Sequence, residues 1–183
     1  MSRSIYLGSW RVDLTIRDGV DPPASGAALA RDIARAAAAA GASSPASIGL
    51  ILSDDSELAE LNAAHLGKHE PTDVLSFPLL PPESFPAHPG RVPTGSSAPA
   101  VFRLPPRRRP HLGDIVVSVE RAVGQALDGR GGQTGAVRWA PADELRLLAI
   151  HGTLHLCGWD HAEPAEEAAM RALEARLLGR APA

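Results

Sequence analysis

One domain with a single mixed β-sheet and helices packed on it is the architecture the sequence predicts. Three observations predict it. The chain has 183 residues, a length that suits one domain. Its hydrophobic fraction of 44% is enough for a real core. Its patterns alternate, with short apolar or two-residue-period stretches followed by stretches of helical period, as strands interleaved with helices do. Parallel and antiparallel pairing stay open at this level.

Taken in order, Arg11–Ile16 alternates polar and apolar residues and reads as a strand. Asp21-Pro22-Pro23 breaks the chain. Ala27–Ala40 is an alanine-rich helix with Leu29, Ile33 and Ala37 on one face, ending near Gly41. Ala46–Leu52 is a short apolar strand. Ser53 is the expected N-cap of the next helix, which carries Glu57 in its first turn and runs through Leu58, Leu61 and Leu66 to Gly67. A loop follows, then a strand at Asp73–Pro78 stopped by proline.

Ten of the seventeen prolines fall between Pro78 and Pro110, along with Gly, Ser and the run Arg107, Arg108, Arg109. This stretch has no periodicity and reads as a long mobile loop inserted in a single domain of residues 1–183. Strand signals resume at once in Leu112–Glu120, which is a strand or a strand running into a helix. Residues 121–128 read as helix and 129–135 as a flexible turn. Pro141 at N1, with Asp143 and Glu144 in the first turn, opens a helix that runs to Cys157, with Gly158 as its C′ stop. Glu163–Leu178 is a last amphipathic helix.

The totals narrow the function. Net charge is -3 and the pI about 6.1, so the chain lacks the strongly basic balance of a typical nucleic-acid-binding domain, although a local basic groove remains compatible with it. The single cysteine, Cys157, permits no internal disulfide and fits a reducing compartment. The N-terminal residues lack a secretory h-region, and no run approaches the ~18 apolar residues of a membrane span. A cytoplasmic protein with no membrane contact is expected.

The sharpest motif is HGTLHLCGWDH, residues 151–161. On a helix, residues four apart project within about 40° of one another, one turn along. His151 and His155 can therefore hold one ion from one side, and His161, just past the glycine stop, can swing back to it. Three imidazoles leave a fourth position for water, as a catalytic zinc requires. The spacing follows the metzincin pattern H-E-x-x-H-x-x-G-x-x-H except at Gly152, where that pattern has its general-base glutamate. Asp160 is a candidate to orient a ligand imidazole or to accept a proton, and a solvent-facing role is the third reading. Cys157 lies about 200° around the helix from His155 and reads as inward-packing. No catalytic group beyond the ion's own water can be named from the residues.

These residues carry a resemblance. HGTLHLCGWDH is similar to the H-G-x-L-H-L-x-G-[YW]-D-H signature of the YbeY-type endoribonucleases, bacterial rRNA maturation factors. LNAAHLGKHEPTDVLSFP, residues 61–78, resembles that family's L-N-x-x-Y-R-x-x-D-x-P-T-D-V-L-S-F-P block, and LGDIVVS, residues 112–118, resembles its L-G-D-I-x-I-S block. All three occur in the family's order. The resemblance implies an α+β fold with a small mixed sheet, and a metal site on a helix and the turn after it. The ligands it implies are His151, His155 and His161, and the ion is Zn2+, one per chain, with other divalent transition metals also compatible with imidazole. It further implies cleavage of single-stranded RNA, maturation of the small-subunit rRNA 3′ end, and ribosome quality control. The implied partners are rRNA, the small subunit and ribosome-assembly proteins.

The second block departs from the family pattern. His65 and Leu66 stand where the family has an aromatic residue and an arginine, and His69 replaces an aspartate. Leucine cannot supply the bidentate fork that grips a phosphate. Lys68 is the candidate for that contact, as a point charge. Thr72, Asp73, Ser76 and Asp114 read as turn and backbone partners or as substrate contacts. The arginine run reads as a solvated loop segment, or as a salt-sensitive RNA contact. The leading function is a metal-dependent endoribonuclease. A non-catalytic, zinc-stabilised ribosome-assembly or RNA-binding protein is the alternative, and a metallopeptidase comes third.

Overall fold

The computed structural model describes residues 1–67, 70, 72–91, 109–128 and 139–179. Among them are five strands: β1 (Ser2–Leu7), β2 (Trp10–Ile16), β3 (Ala46–Ser53), β4 (Val74–Pro78) and β5 (His111–Ser118). The helices are α1 (Gly26–Ala39), α2 (Asp55–Leu66), α3 (Val119–Leu127), α4 (Pro141–Leu156) and α5 (Pro164–Leu177). This is the expected α+β domain with one mixed sheet. The strand order is β1-β2-β3-β5-β4. The two inner pairings, β2–β3 and β3–β5, are parallel, and the edges β1 and β4 run antiparallel to their neighbours.

The core lies between one sheet face and the helices. Val12 and Leu14 of β2, Ile48, Leu50 and Leu52 of β3, and Ile115 and Val117 of β5 are buried with Leu29 and Ile33 of α1. Helix α4 is the hub, touching α1, α3, α5, β4 and β5. Its Leu145, Ile150, Leu154 and Leu156 are fully buried. The opposite face at the β4 edge, where Leu75 and Val116 are register partners, is covered by α2.

Three local expectations are corrected. Strand β1 is absent from the sequence reading. Its apolar signal is only Ile5 and Leu7, both partly buried against the core, and it exists because a Gly8 turn (φ 60°) folds it onto β2. The N-cap of α2 is Asp54 rather than Ser53. The Asp54 carboxylate accepts from the Glu57 amide at 2.9 Å, while the Ser53 hydroxyl ends β3 and bonds to the Glu57 side chain. Part of the proline-rich stretch is packed. Pro82–Ser84 forms a 3₁₀ turn and Phe85 joins the core. Residues 92–108, Lys68, His69 and the turn at 129–135 lie outside the described residues.

A candidate metal centre at the end of helix α4

Helix α4 ends in a Schellman motif. Gly158 (φ 80°) donates to the His155 carbonyl at 3.0 Å, and Trp159 donates to the Leu154 carbonyl at 3.1 Å. The reversal folds the chain back across the helix end and carries His161 to the helical pair. The available ring nitrogens of His151, His155 and His161 all lie within 4.8 Å of one another. His151 and His155 are part-buried and His161 is exposed, so the cluster opens to solvent on the His161 side.

Hydrogen bonds at the far side of two rings decide what they present. His155 Nδ1 lies 2.9 Å from the Trp159 carbonyl, which can only accept, so Nδ1 carries the proton. His151 Nδ1–H donates to Glu174 Oε1 at 2.7 Å. In the neutral rings both Nε2 atoms then carry lone pairs, and they face each other at 3.0 Å. Two lone pairs so placed need a shared proton or a metal ion between them. The edges of a tetrahedral nitrogen site are about 3.3 Å for metal–nitrogen bonds of about 2.0 Å, so the His151–His155 pair is close to one such edge, and the three donors, all within 4.8 Å, could hold one ion. Burial first, and then the neighbouring His151, pushes the His155 pKa down to about 4. The ring is therefore neutral at pH 7, as a ligand must be.

The surroundings explain the other motif residues. Asp160 is exposed. Its Oδ1 accepts from the His161 amide at 2.8 Å, and its own amide donates to Glu166 at 3.1 Å, so it shapes the backbone carrying His161. The groups that bond the imidazoles are Glu174 and the Trp159 carbonyl. Cys157 is buried as expected, and burial raises its thiol pKa to about 12. Gly152 faces the sheet, where a Cβ would lie 2.7 Å from Ile115 Cγ2 and 3.1 Å from Ser76 Oγ. The position that carries a glutamate in zinc peptidases is thus a packing contact here. Ser76 donates to the Gly152 carbonyl at 3.1 Å. Asp73 accepts from the Val74 amide at 2.9 Å and from Gln125 at 3.0 Å. Asp114 pairs with His111 at 3.0 Å, and Arg109 donates to the Ser9 carbonyl. His65 meets Phe77 edge-on at 5.0 Å.

Two supporting residues escaped the sequence reading. Glu174 sits on the buried face of α5 among Met170, Leu173 and Leu177. A carboxylate inside an apolar helical stripe was the available signal. His88, from the proline-rich stretch, stacks on Trp159 with ring centroids 4.0 Å apart and planes 8° from parallel. Its Nε2 lies 3.2 Å from the Gly158 carbonyl and 3.4 Å from Glu166. The 79–91 segment therefore braces the turn that carries His161. No residue pattern announced this contact.

Fold and site together define an α+β protein with an open three-histidine centre. The profile of the family described as Endoribonuclease YbeY matches residues 21–181. An endoribonuclease YbeY of Salinispora tropica is 42% identical over 134 residues, 73% of each chain. One of Symbiobacterium thermophilum is 39% identical over 142 residues, 77% of this chain and 75% of that one. A solution structure from Thermotoga maritima, at 20% identity, has a TM-score of 0.48 over 91% of this chain and 89% of that one. The chain belongs to the YbeY endoribonuclease family, metal-dependent enzymes that hydrolyse RNA. No helix among the described residues is long and apolar enough to cross a membrane.

Proposed function

We propose that this chain cuts single-stranded rRNA with an ion held by His151, His155 and His161, and that it serves in 3′-end maturation of small-subunit rRNA and in ribosome quality control. The observation that carries this reading is the pair of Nε2 atoms converging at 3.0 Å, each ring oriented by a hydrogen bond at its other nitrogen. An all-imidazole donor set suits zinc among the divalent metals. When bound, zinc supplies Lewis-acid polarisation of a phosphodiester and ionisation of water near neutral pH. The protein's part is to hold the rings. Glu174 and the Trp159 carbonyl hold two of them in one tautomer, and the Schellman turn delivers the third. We assign Asp160, beside His161, either the orientation of a ligand imidazole or the acceptance of a proton. Lys68 is the cation in the segment where Leu66 replaces the family arginine.

The test is cleavage of a single-stranded rRNA fragment by the zinc-loaded protein. Activity should disappear with chelator, return with zinc, and be absent in His155→Ala. A 2′,3′-cyclic phosphate on the products would identify the RNA 2′-OH as nucleophile. If the natural chain fails to cut while a Leu66→Arg variant cuts, the natural chain has kept the fold and metal but lost the chemistry, and the catalytic reading is wrong.

A further inference from the structure

Phosphates need cations, and the cleft beside His151 does not offer them. That cleft, about 220 Å³, is lined by the carboxylates Asp73, Glu144 and Glu174 and by no lysine or arginine among the described residues. A larger cleft of about 440 Å³ between α1 and α4 has the opposite character. Arg31, Arg35 and Arg146 line it, and Asp32 is its only carboxylate. Asp32 is already engaged. Arg146 Nε lies 2.7 Å from it and Nη2 3.3 Å, Arg35 lies 3.6 Å away, and Arg146 Nη1 also lies 3.7 Å from Asp143. Arg31 is exposed and has no ion pair among the described residues.

Backbone polarity acts in the same direction. Ser25, Ala28 and Ala142 line the cleft, so the first turns of both α1 and α4 point their partial positive charge toward it. The first turn of α1 contains no acidic residue, whereas that of α4 carries Asp143 and Glu144, so the uncompensated backbone polarity comes from α1. Three guanidiniums against Asp32 and Asp143 leave the cleft with a positive excess, carried by the exposed Arg31, in a chain of net charge -3. Guanidinium forks match phosphate oxygens in geometry as well as charge.

We propose that the α1–α4 cleft binds the phosphodiester backbone of the RNA substrate to one side of the histidine centre. The proposal rests on the reading of this chain as an RNA-cutting enzyme. Arg146 precedes His151 by five residues, which is about 7.5 Å along α4 and about 140° around it. A strand crossing α4, a cylinder about 10–12 Å wide, links the two places within a few nucleotides.

The test is fluorescence anisotropy of a labelled single-stranded RNA of about 12 nucleotides across a potassium chloride series. It uses the full chain carrying His155→Ala, so that the RNA stays intact. Adding Arg31→Ala and Arg35→Ala should weaken binding about fivefold or more at low salt. It should also flatten the slope of log affinity against log salt by about 1, given ~0.7 per single-strand phosphate contact. Arg31→Lys with Arg35→Lys should retain most of the slope. Arg11→Ala, on the other sheet face, should change neither quantity. Unchanged affinity and slope in the alanine pair overturn the proposal, as does an equal loss in Arg11→Ala. Calorimetric binding of inorganic phosphate that is lost in the alanine pair while RNA affinity is kept would make the cleft a small-anion site and overturn the RNA assignment. Cleavage by the natural chain is scored separately. Cutting without a cleft effect sinks this inference alone, and a cleft effect without cutting sinks the catalytic reading alone.

Discussion

At the scale of single residues, the centre depends on what stands behind each imidazole. His151 would be an ordinary helix-surface histidine without Glu174, whose carboxylate accepts the Nδ1–H hydrogen bond at 2.7 Å and directs Nε2 to the cluster. Such partners commonly contribute 10–100-fold to metal affinity. Glu174→Gln keeps an acceptor and removes the charge, so zinc affinity should fall about 10-fold in a chromophoric-chelator competition. Glu174→Ala should lose more. Affinity within twofold of the natural chain in both variants would mean that Glu174 only packs. Reading along the sequence could not pair these two residues, because they lie 23 positions apart on different helices. The three histidines were legible because one helical turn and one glycine stop separate them.

At the scale of elements, α4 is pressed onto the sheet at Gly152. Helix propensity alone favours alanine over glycine by about 0.8–1 kcal/mol. A Cβ 2.7 Å from Ile115 Cγ2 creates overpacking, which typically costs about 1–3 kcal/mol. The two effects have opposite signs, so Gly152→Ala is a clean comparison. We expect a net loss of stability in urea unfolding, and a gain would show that the α4–sheet contact yields easily. The 79–91 segment makes the second element-level prediction. His88→Ala removes a ring stack worth about 0.5–1.5 kcal/mol and a hydrogen bond of similar worth. It should destabilise the protein by about 1–3 kcal/mol by denaturant titration. No measurable change would mean the segment rests on the turn without bracing it. Proline density led to the expectation of a mobile loop here, whereas residues 79–91 are packed. It could not show that Phe85 and His88 find partners, since those partners lie elsewhere in the chain.

For the whole molecule, an ion held between α4 and the following turn binds the folded state and has no such site in the unfolded chain. Linkage then raises stability by about 2.7 kcal/mol at a free metal concentration 100 times Kd. For a domain of this size that corresponds to a Tm increase of about 5–10 °C. Zinc added to metal-free protein should produce this shift in a thermal melt, chelator should reverse it, and His155→Ala should abolish it. An equal shift in His155→Ala would place the ion elsewhere.

The sequence alone determined the helices, four of the five strands, the Gly158 stop and the histidine triplet. Each depends on residues within a turn or two of one another, where periodicity, capping and proline geometry act directly. Tertiary structure decided the rest. It paired β1 with β2, set Glu174 behind His151, laid His88 on Trp159, and gathered Arg31, Arg35 and Arg146 around one cleft. These contacts join residues far apart in the chain, and only the packing of helices on the sheet brings them within the few ångströms over which hydrogen bonds and charges act.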